Sequence, residues 1–167
     1  MDKHLHIVCL DIPFPVYYGC VYELFYKLVA LHKLGIKIHL HCFEDGRPAQ
    51  PELEKYCEEV FYYQRKTKLK SLPFFLPYIV TSRDHPDLLN HLSKDNYPVL
   101  LEGVHCTWLL YQNKLEGRKI FVRLHNVEFE YYDHLAKAEK SILKKIYFIH
   151  ESKLLKKYEE NISRKAV

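Results

Sequence analysis

The sequence predicts an α/β fold with a doubly wound parallel sheet. Short apolar segments typical of strands alternate with helical segments along the 167 residues, and strands joined through helices pair in parallel by right-handed crossovers. Apolar residues make up 48% and charged residues 28% of the chain, which is ordinary globular usage and excludes a disordered or collagen-like chain. We therefore expect one Rossmann-like domain over residues 1–167, with helices on both faces of the sheet in three α/β/α layers.

The first three elements have clear local signals. Residues 5–11 are mostly apolar and precede two prolines, which predicts a buried strand that ends in a loop. Apolar residues three and four apart predict a helix over 21–34, and Gly35 follows where a C-cap glycine belongs. Strict alternation then predicts a second strand over 37–43.

The later elements continue the alternation. We expect a short helix over 51–59, a strand over 60–63, a helix over 86–92 with proline at its start, a strand over 98–102, a short helix over 107–113, a strand over 119–124, and one or two helices over 129–161. In the last segment a stripe at helical spacing predicts the buried face: Leu143, Tyr147, His150, Leu154 and Tyr158.

Composition excludes several function classes. Lys plus Arg total 25 against 21 Asp plus Glu, and this net charge of +4 does not predict nucleic-acid binding. The five glycines form neither the dinucleotide-binding fingerprint nor a phosphate-binding loop. Five separated cysteines without a C-x-x-C pair predict reduced thiols in a cytoplasmic protein. We expect a mature N-terminus and no membrane span, and we expect no metal site because two His-x-His pairs lack a third ligand.

The predicted topology selects three loops as the functional edge. In doubly wound sheets, ligands bind beyond the carboxyl ends of the strands, near the change in strand order. The rule selects residues 13–19, 102–107 and 125–131. Their polar, aromatic and glycine residues are the candidate site: Tyr17, Tyr18, Gly19, Glu102, His105, His125, Asn126 and Glu128.

Short motifs in these loops and elsewhere along the chain resemble family 4 glycosyltransferases of the GT-B fold. The start of the chain resembles the start of such an enzyme in three motifs: DIPFP at 11–15, YG at 18–19 and HLHCF at 39–43. The segment RLHNVE at 123–128, which precedes two tyrosines and a lysine-rich helix, resembles the loop after the fifth strand of these enzymes. The motifs LPY at 76–78 and SR at 82–83 fit the same group. The resemblance covers nearly the whole chain.

The resemblance implies an N-terminal, acceptor-side domain, with the C-terminal nucleotide-sugar-binding domain absent from this chain. The whole enzyme would transfer a hexose, with retention, from a nucleotide-sugar to a glycan or lipid-linked acceptor in cell-surface polysaccharide synthesis. It would need no metal or other cofactor, and this fragment alone would be inactive. The alternative is a stand-alone α/β module that binds a ligand or a protein partner through the same loops. Two Glu-x7-Glu pairs, 44/52 and 151/159, lie outside any glycine-rich loop and are not taken as catalytic.

The resemblance also suggests individual roles. It implies that His125 contacts the transferred sugar or its phosphate as the catalytic residue, and the alternative is a structural histidine bonded to a carbonyl. The remaining candidate loop residues would bind substrate. Asn126 and Glu128 would equally suit the capping of the following helix. Arg83 would hold an anionic acceptor, such as a lipid-linked phosphate, or form a surface ion pair.

Lysines near the end of the chain suggest a membrane contact. Seven lie in the last helical segment: Lys137, Lys140, Lys144, Lys145, Lys153, Lys156 and Lys157. A lysine-rich helix face can contact the inner face of a membrane peripherally, and it can also simply be solvated. Both interpretations stay open at the level of sequence.

Overall fold

One five-stranded sheet, with all strands parallel, forms the centre of the protein. The computed structural model describes residues 3–17, 19–44, 46–67 and 73–165. The strands are β1 Lys3–Cys9, β2 Ile36–Glu44, β3 Glu59–Gln64, β4 Val99–Glu102 and β5 Ile120–Arg123, in the spatial order β3-β2-β1-β4-β5. The predicted parallel α/β fold is confirmed, and each predicted strand is present within two residues of its expected bounds.

The helices follow the predicted order with some changes in length, and one short helix over 78–81 was not predicted. They are α1 Gly19–Lys33, α2 Tyr78–Thr81, α3 Pro86–Leu92, α4 Trp108–Tyr111, α5 Glu128–Ala138 and α6 Ile142–Lys165, with 3-10 helices at Pro51–Lys55 and Val104–Cys106. The predicted helix over 51–59 is only this first 3-10 turn. The last helical segment divides where Glu139 takes an extended backbone conformation.

Two apolar cores cover the two faces of the sheet. Because successive residues of a strand point to opposite faces, Ile7 packs in the core beneath α1 while Val8 packs in the core on the other face. Leu28 of α1 belongs to the first core, and Leu92 of α3 and Leu155 of α6 belong to the second. The result is the predicted three-layer arrangement.

The strand order changes at β1, and this creates the candidate crevice. The chain passes from β1 to β2 on one side and later returns to place β4 on the other side of β1. Cys9 and Glu102 are paired residues at the ends of β1 and β4, and Glu102 is paired with Arg123 at the end of β5. The three carboxyl ends therefore lie side by side, at the position where ligands bind in such sheets.

The predicted buried stripe of α6 is wrong at Leu143, which is 81% exposed. Tyr147, His150 and Leu154 are half-buried and Tyr158 is buried. Full burial begins at Glu151 and continues through Leu155, Tyr158 and Ile162. The first turns of α6 do not pack on the sheet, so apolar spacing there does not produce burial. No helix in the described ranges reaches the length and hydropathy that a membrane span requires.

Two carboxylates of α6 attach this helix to the domain. Glu151 Oε2 accepts a hydrogen bond from the Tyr78 N–H at the start of α2, at 2.9 Å, and Glu159 Oε1 accepts from the Phe129 N–H in the first turn of α5, at 3.1 Å. Carboxyl oxygens at these positions satisfy backbone donors that a helix start leaves without intrahelical partners. This Glu-x7-Glu pair therefore has a structural explanation.

Candidate functional site

A fully buried carboxylate lies at the carboxyl end of β4. Glu102 is the last residue of this strand, and Gly103 follows with φ of 88°, a conformation that favours glycine. A Cβ at Gly103 would also lie 3.1 Å from His105 Nδ1 and 3.4 Å from His125 Cδ2. The turn after β4 thus needs glycine both for its backbone conformation and for the close approach of two histidines.

Three basic side chains surround the Glu102 carboxylate. Lys27 Nζ, from α1, donates to Oε1. His125 Nε2 lies 3.1 Å and Arg123 Nη1 lies 3.4 Å from Oε2. Arg123 Nη1 also lies 3.4 Å from His125 Nδ1, and its Nη2 pairs with Glu23 at 2.6 Å. A histidine with its proton on Nε2 satisfies both contacts, because Nε2 then donates to Glu102 while Nδ1 accepts from Arg123.

The cluster keeps Glu102 charged. Burial by itself raises the pKa of this carboxyl group, but hydrogen bonds from His125 and Lys27, with the positive charge of Lys27, outweigh that effect and lower the pKa to about 2. The carboxylate is therefore a fixed negative charge at neutral pH. It orients the His125 ring as a carboxylate orients many catalytic histidines.

His125 lines two adjoining recesses at this edge. One lies between β1, α1 and β4 and is lined by Leu10, Cys20 and Glu102, among others. The second is more open and is lined by Gly19, Arg123 and Asn126, among others. The predicted residues Gly19, Glu102, His125 and Asn126 are thus brought together at one crevice.

Of the two tyrosines predicted in the first loop, only Tyr17 lies among the residues that the structure describes. Tyr17 is 76% exposed, and its ring lies 5.6 Å from the Arg47 guanidinium, which donates to the carbonyls of Ile12 and Pro15. Tyr18 lies outside the described residues. Tyr17 is therefore available at the surface near the end of β1, beside a cation that the sequence did not single out.

Arg83 is buried rather than exposed. It is 5% exposed and donates to the Leu10 carbonyl from Nε and Nη2, at 3.2 and 3.0 Å, and to the Ile79 carbonyl at 2.6 Å. The prediction of a surface ion pair is wrong, because these carbonyls draw the guanidinium under the end of β1. Arg83 therefore bonds the backbone of Leu10, which lines the recess between β1 and α1, and its contact with an acceptor remains a prediction.

The remaining predicted residues, His105, Asn126 and Glu128, have different surroundings. His105 is held neutral because burial strongly lowers its pKa, and its Nδ1 has no hydrogen-bond partner among the described residues. Glu128 is 7% exposed, and burial raises its pKa despite a hydrogen bond from Asn126. The predicted capping by Asn126 is wrong: α5 has Val127 at its N-cap, and Asn126 bonds the Glu128 side chain instead. Glu128 does lie in the first turn of α5, as predicted.

Sequence reasoning missed three members of the charged cluster. Lys27 and Glu23 are four residues apart on α1, and Arg123 lies two residues before His125. Lys27 lies in the sequence between Leu24 and Leu28, which belong to the core. A lysine beside such apolar positions could have indicated a buried acidic partner.

The four histidines of the two His-x-His pairs bond each other instead of forming a ligand set. The residues are His4, His6, His39 and His41. His6 Nδ1 lies 2.8 Å from His41 Nε2, and its Nε2 lies 3.0 Å from Asp95. No group of three metal-ligating side chains suited to a metal ion occurs in the part of the chain that the structure describes.

Comparison with known proteins gives one informative relative. No protein-family model matches the chain. Over 164 residues the chain is 29% identical to a Klebsiella pneumoniae protein described as an uncharacterized 44.6 kDa protein in cps region. The match covers 94% of this chain and 42% of that protein, so the chain spans less than half the length of the curated relative.

Proposed function

We propose that this chain is the acceptor-side domain of a glycosyltransferase in cell-surface polysaccharide synthesis. The whole enzyme would transfer a hexose from a nucleotide-sugar to a glycan or lipid-linked acceptor. A second, nucleotide-sugar-binding domain of the same enzyme would close over the crevice, and the described chain alone would be inactive.

The cluster of His125 on Glu102 is the observation that carries the proposal. A buried, charged carboxylate holds the imidazole at the mouth of a crevice, 3.1 Å away, where the carboxyl ends of β1, β4 and β5 meet. When a glycosyl bond to a diphosphate breaks, charge develops on both the sugar and the leaving group. Preoriented dipoles and charges at that point lower the barrier more than mobile ones.

The relative supports the biological setting of the proposal. Its description places it in a cps region, which fits a role in polysaccharide synthesis, and more than half of its length lies outside the matched region. That remaining length leaves room for the second domain that the proposal requires.

Transfer by the whole enzyme tests the proposal directly. The protein is incubated with a panel of nucleotide-sugars and with glycan or lipid-linked acceptors, and release of nucleoside diphosphate is measured. His125→Ala should reduce turnover at least about tenfold, since one lost transition-state hydrogen bond of about 1.4 kcal/mol has that effect. His134→Ala, at an exposed position of α5, is the matched control.

The outcomes separate the enzyme from its catalytic residue. Release with some donor, but equal turnover in both histidine variants, would remove the role of His125. If no nucleotide-sugar releases nucleoside diphosphate, and the protein binds a different small ligand without any acceptor, the result would favour a binding module over an enzyme.

A further inference from the structure

An exposed apolar surface covers the start of α6 and the nearby loop before α2. We call it the apolar tip, and its residues and exposed fractions are Phe74 80%, Phe75 75%, Ile142 75%, Leu143 81%, Ile146 59% and Ile149 40%. Single exposed apolar side chains are common, but a contiguous group marks an interaction surface or a site of aggregation.

The members of the apolar tip are neighbours in space. Ile142, Ile146 and Ile149 are four and three residues apart, so they form one stripe along α6. The Phe74 ring stacks on the His150 ring with centroids 4.4 Å apart, and His150 Nε2 donates to the Phe74 carbonyl at 3.0 Å. The loop therefore lies directly against the first half of α6, and the two parts make one continuous surface.

The charges on α6 beside the apolar tip are positive, and the acid next to them is Glu139, just before α6, whose Oε1 accepts from the Ser141 N–H at 2.9 Å. Residues 140–150 contain three lysines, Lys140, Lys144 and Lys145, all exposed, and no acidic residue. The nearest acid on the helix, Glu151, is buried and accepts from a backbone N–H. Lys153 continues the isoleucine stripe by one turn and is also exposed.

This combination identifies the kind of partner. A helix with exposed isoleucines on one face and lysines beside them has the chemistry of an interfacial helix, whose apolar side chains enter the boundary between headgroups and acyl chains. Lysines at that depth attract anionic headgroups. In a symmetric dimer through this face, the lysines of the two copies would lie opposite each other. Their repulsion disfavours such a dimer.

We propose that the apolar tip docks on a membrane surface that carries anionic lipids. The first three turns of α6 and the loop at Phe74 make the contact, rather than the whole lysine-rich face. In the second half of α6, Lys156 lies over the Phe129 ring at 5.7 Å and Lys165 donates to the Tyr111 carbonyl at 2.7 Å, so these lysines pack on the domain itself. The docking does not depend on the proposed glycosyl transfer.

Vesicle binding by the full 167-residue chain tests the proposal. The chain is centrifuged with vesicles of phosphatidylcholine alone and with vesicles that also contain phosphatidylglycerol. We expect binding to the mixed vesicles, weaker binding to phosphatidylcholine, and a loss of binding as salt is added.

Paired variants separate the apolar and the charged contributions. The double variant Ile142→Ser and Ile146→Ser should weaken binding at least about tenfold because two apolar side chains no longer leave water. Leu34→Ser is the control, since Leu34 is 74% exposed at the far end of α1. Lys144→Gln and Lys145→Gln should each weaken binding about fivefold on mixed vesicles only, and Lys114→Gln, also exposed, should not.

Three results would overturn the docking. They are no binding of the wild-type chain to either vesicle, equal binding by the double isoleucine variant and Leu34→Ser, and a dimer in light scattering that the isoleucine variant abolishes. All substituted positions are exposed, so circular dichroism should show an unchanged fold, and a loss of binding then reports on the surface itself.

Discussion

Replacing Glu102 with glutamine should make the free energy of unfolding less dependent on pH in the acidic range. Burial raises the pKa of this carboxyl group, but bonds from His125 and Lys27 bring it down to about 2, from an ordinary value of 4.5. The folded state therefore binds the proton less tightly than the unfolded state. The charge stabilises the fold above about pH 4.5, and this contribution is lost as the pH falls towards 2.

The size of the effect follows from the two pKa values. A lowering of about 2.5 pH units corresponds to about 3 kcal/mol of stability at neutral pH. About 2 kcal/mol of that should disappear between about pH 6 and pH 3. Urea unfolding at these two pH values measures the free energy of unfolding for the wild type and for Glu102→Gln, and the difference between the two proteins should shrink in acid by that amount.

A matched control and a second variant sharpen the test. Glu52 pairs with Lys55 on the surface at 2.6 Å, so Glu52→Gln should leave the free energy of unfolding almost unchanged at both pH values. Lys27→Met should raise the pKa of Glu102 and move its acid transition to higher pH. If the difference between wild type and Glu102→Gln is the same at both pH values, the surrounding bases do not hold Glu102 charged, and the account of the cluster is refuted.

Three further predictions concern the turn after β4 and two buried titratable groups. Gly103→Ala should destabilise the protein more than Gly117→Ala in urea unfolding, because both have positive φ but only Gly103 would place a Cβ 3.1 Å from His105; equal costs would contradict that contact. Burial raises the pKa of Glu159 to about 7, so the protonated group stabilises the fold fully below about pH 4.5, and this contribution is lost as the pH rises through 7. The melting temperature of the wild type should therefore fall between about pH 5 and pH 8, and that of Glu159→Gln should not show this fall. Burial lowers the pKa of His41, so protonation below about pH 6.5 favours unfolding; His41→Gln should lose less stability than wild type between about pH 7 and pH 5, and parallel curves would contradict the assignment.

The sequence was sufficient for the fold because local patterns and chain connectivity agree. The helix predicted over 86–92 has the same bounds as α3, since proline at its start and apolar spacing both point there. The exposure of Leu143 was not predictable in the same way. Apolar spacing says which residues share a helix face, but whether another element covers that face depends on packing far away in the chain.

The candidate site was predicted as a set of loops but not as a set of contacts. The rule for strand ends correctly brought Glu102 and His125 to one edge. Their contact depends on the register that pairs Glu102 with Arg123, and no local pattern reports that register. The burial of Arg83 beneath the end of β1 likewise arises from a contact between distant segments.

A histidine network and the Glu102 cluster, both buried, differ in what they offer a ligand. His41 Nδ1 lies 2.7 Å from the Tyr63 hydroxyl, which in turn lies 2.8 Å from Nδ1 of His91 on α3, so this network is closed by the domain itself. The network of Glu102 ends at His125, which lines an open crevice. A buried carboxylate with its cations contributes little more to stability than well-packed apolar residues of the same volume. The charged cluster at the open ends of parallel strands therefore fits the proposed ligand site, and the histidine network fits a role in packing.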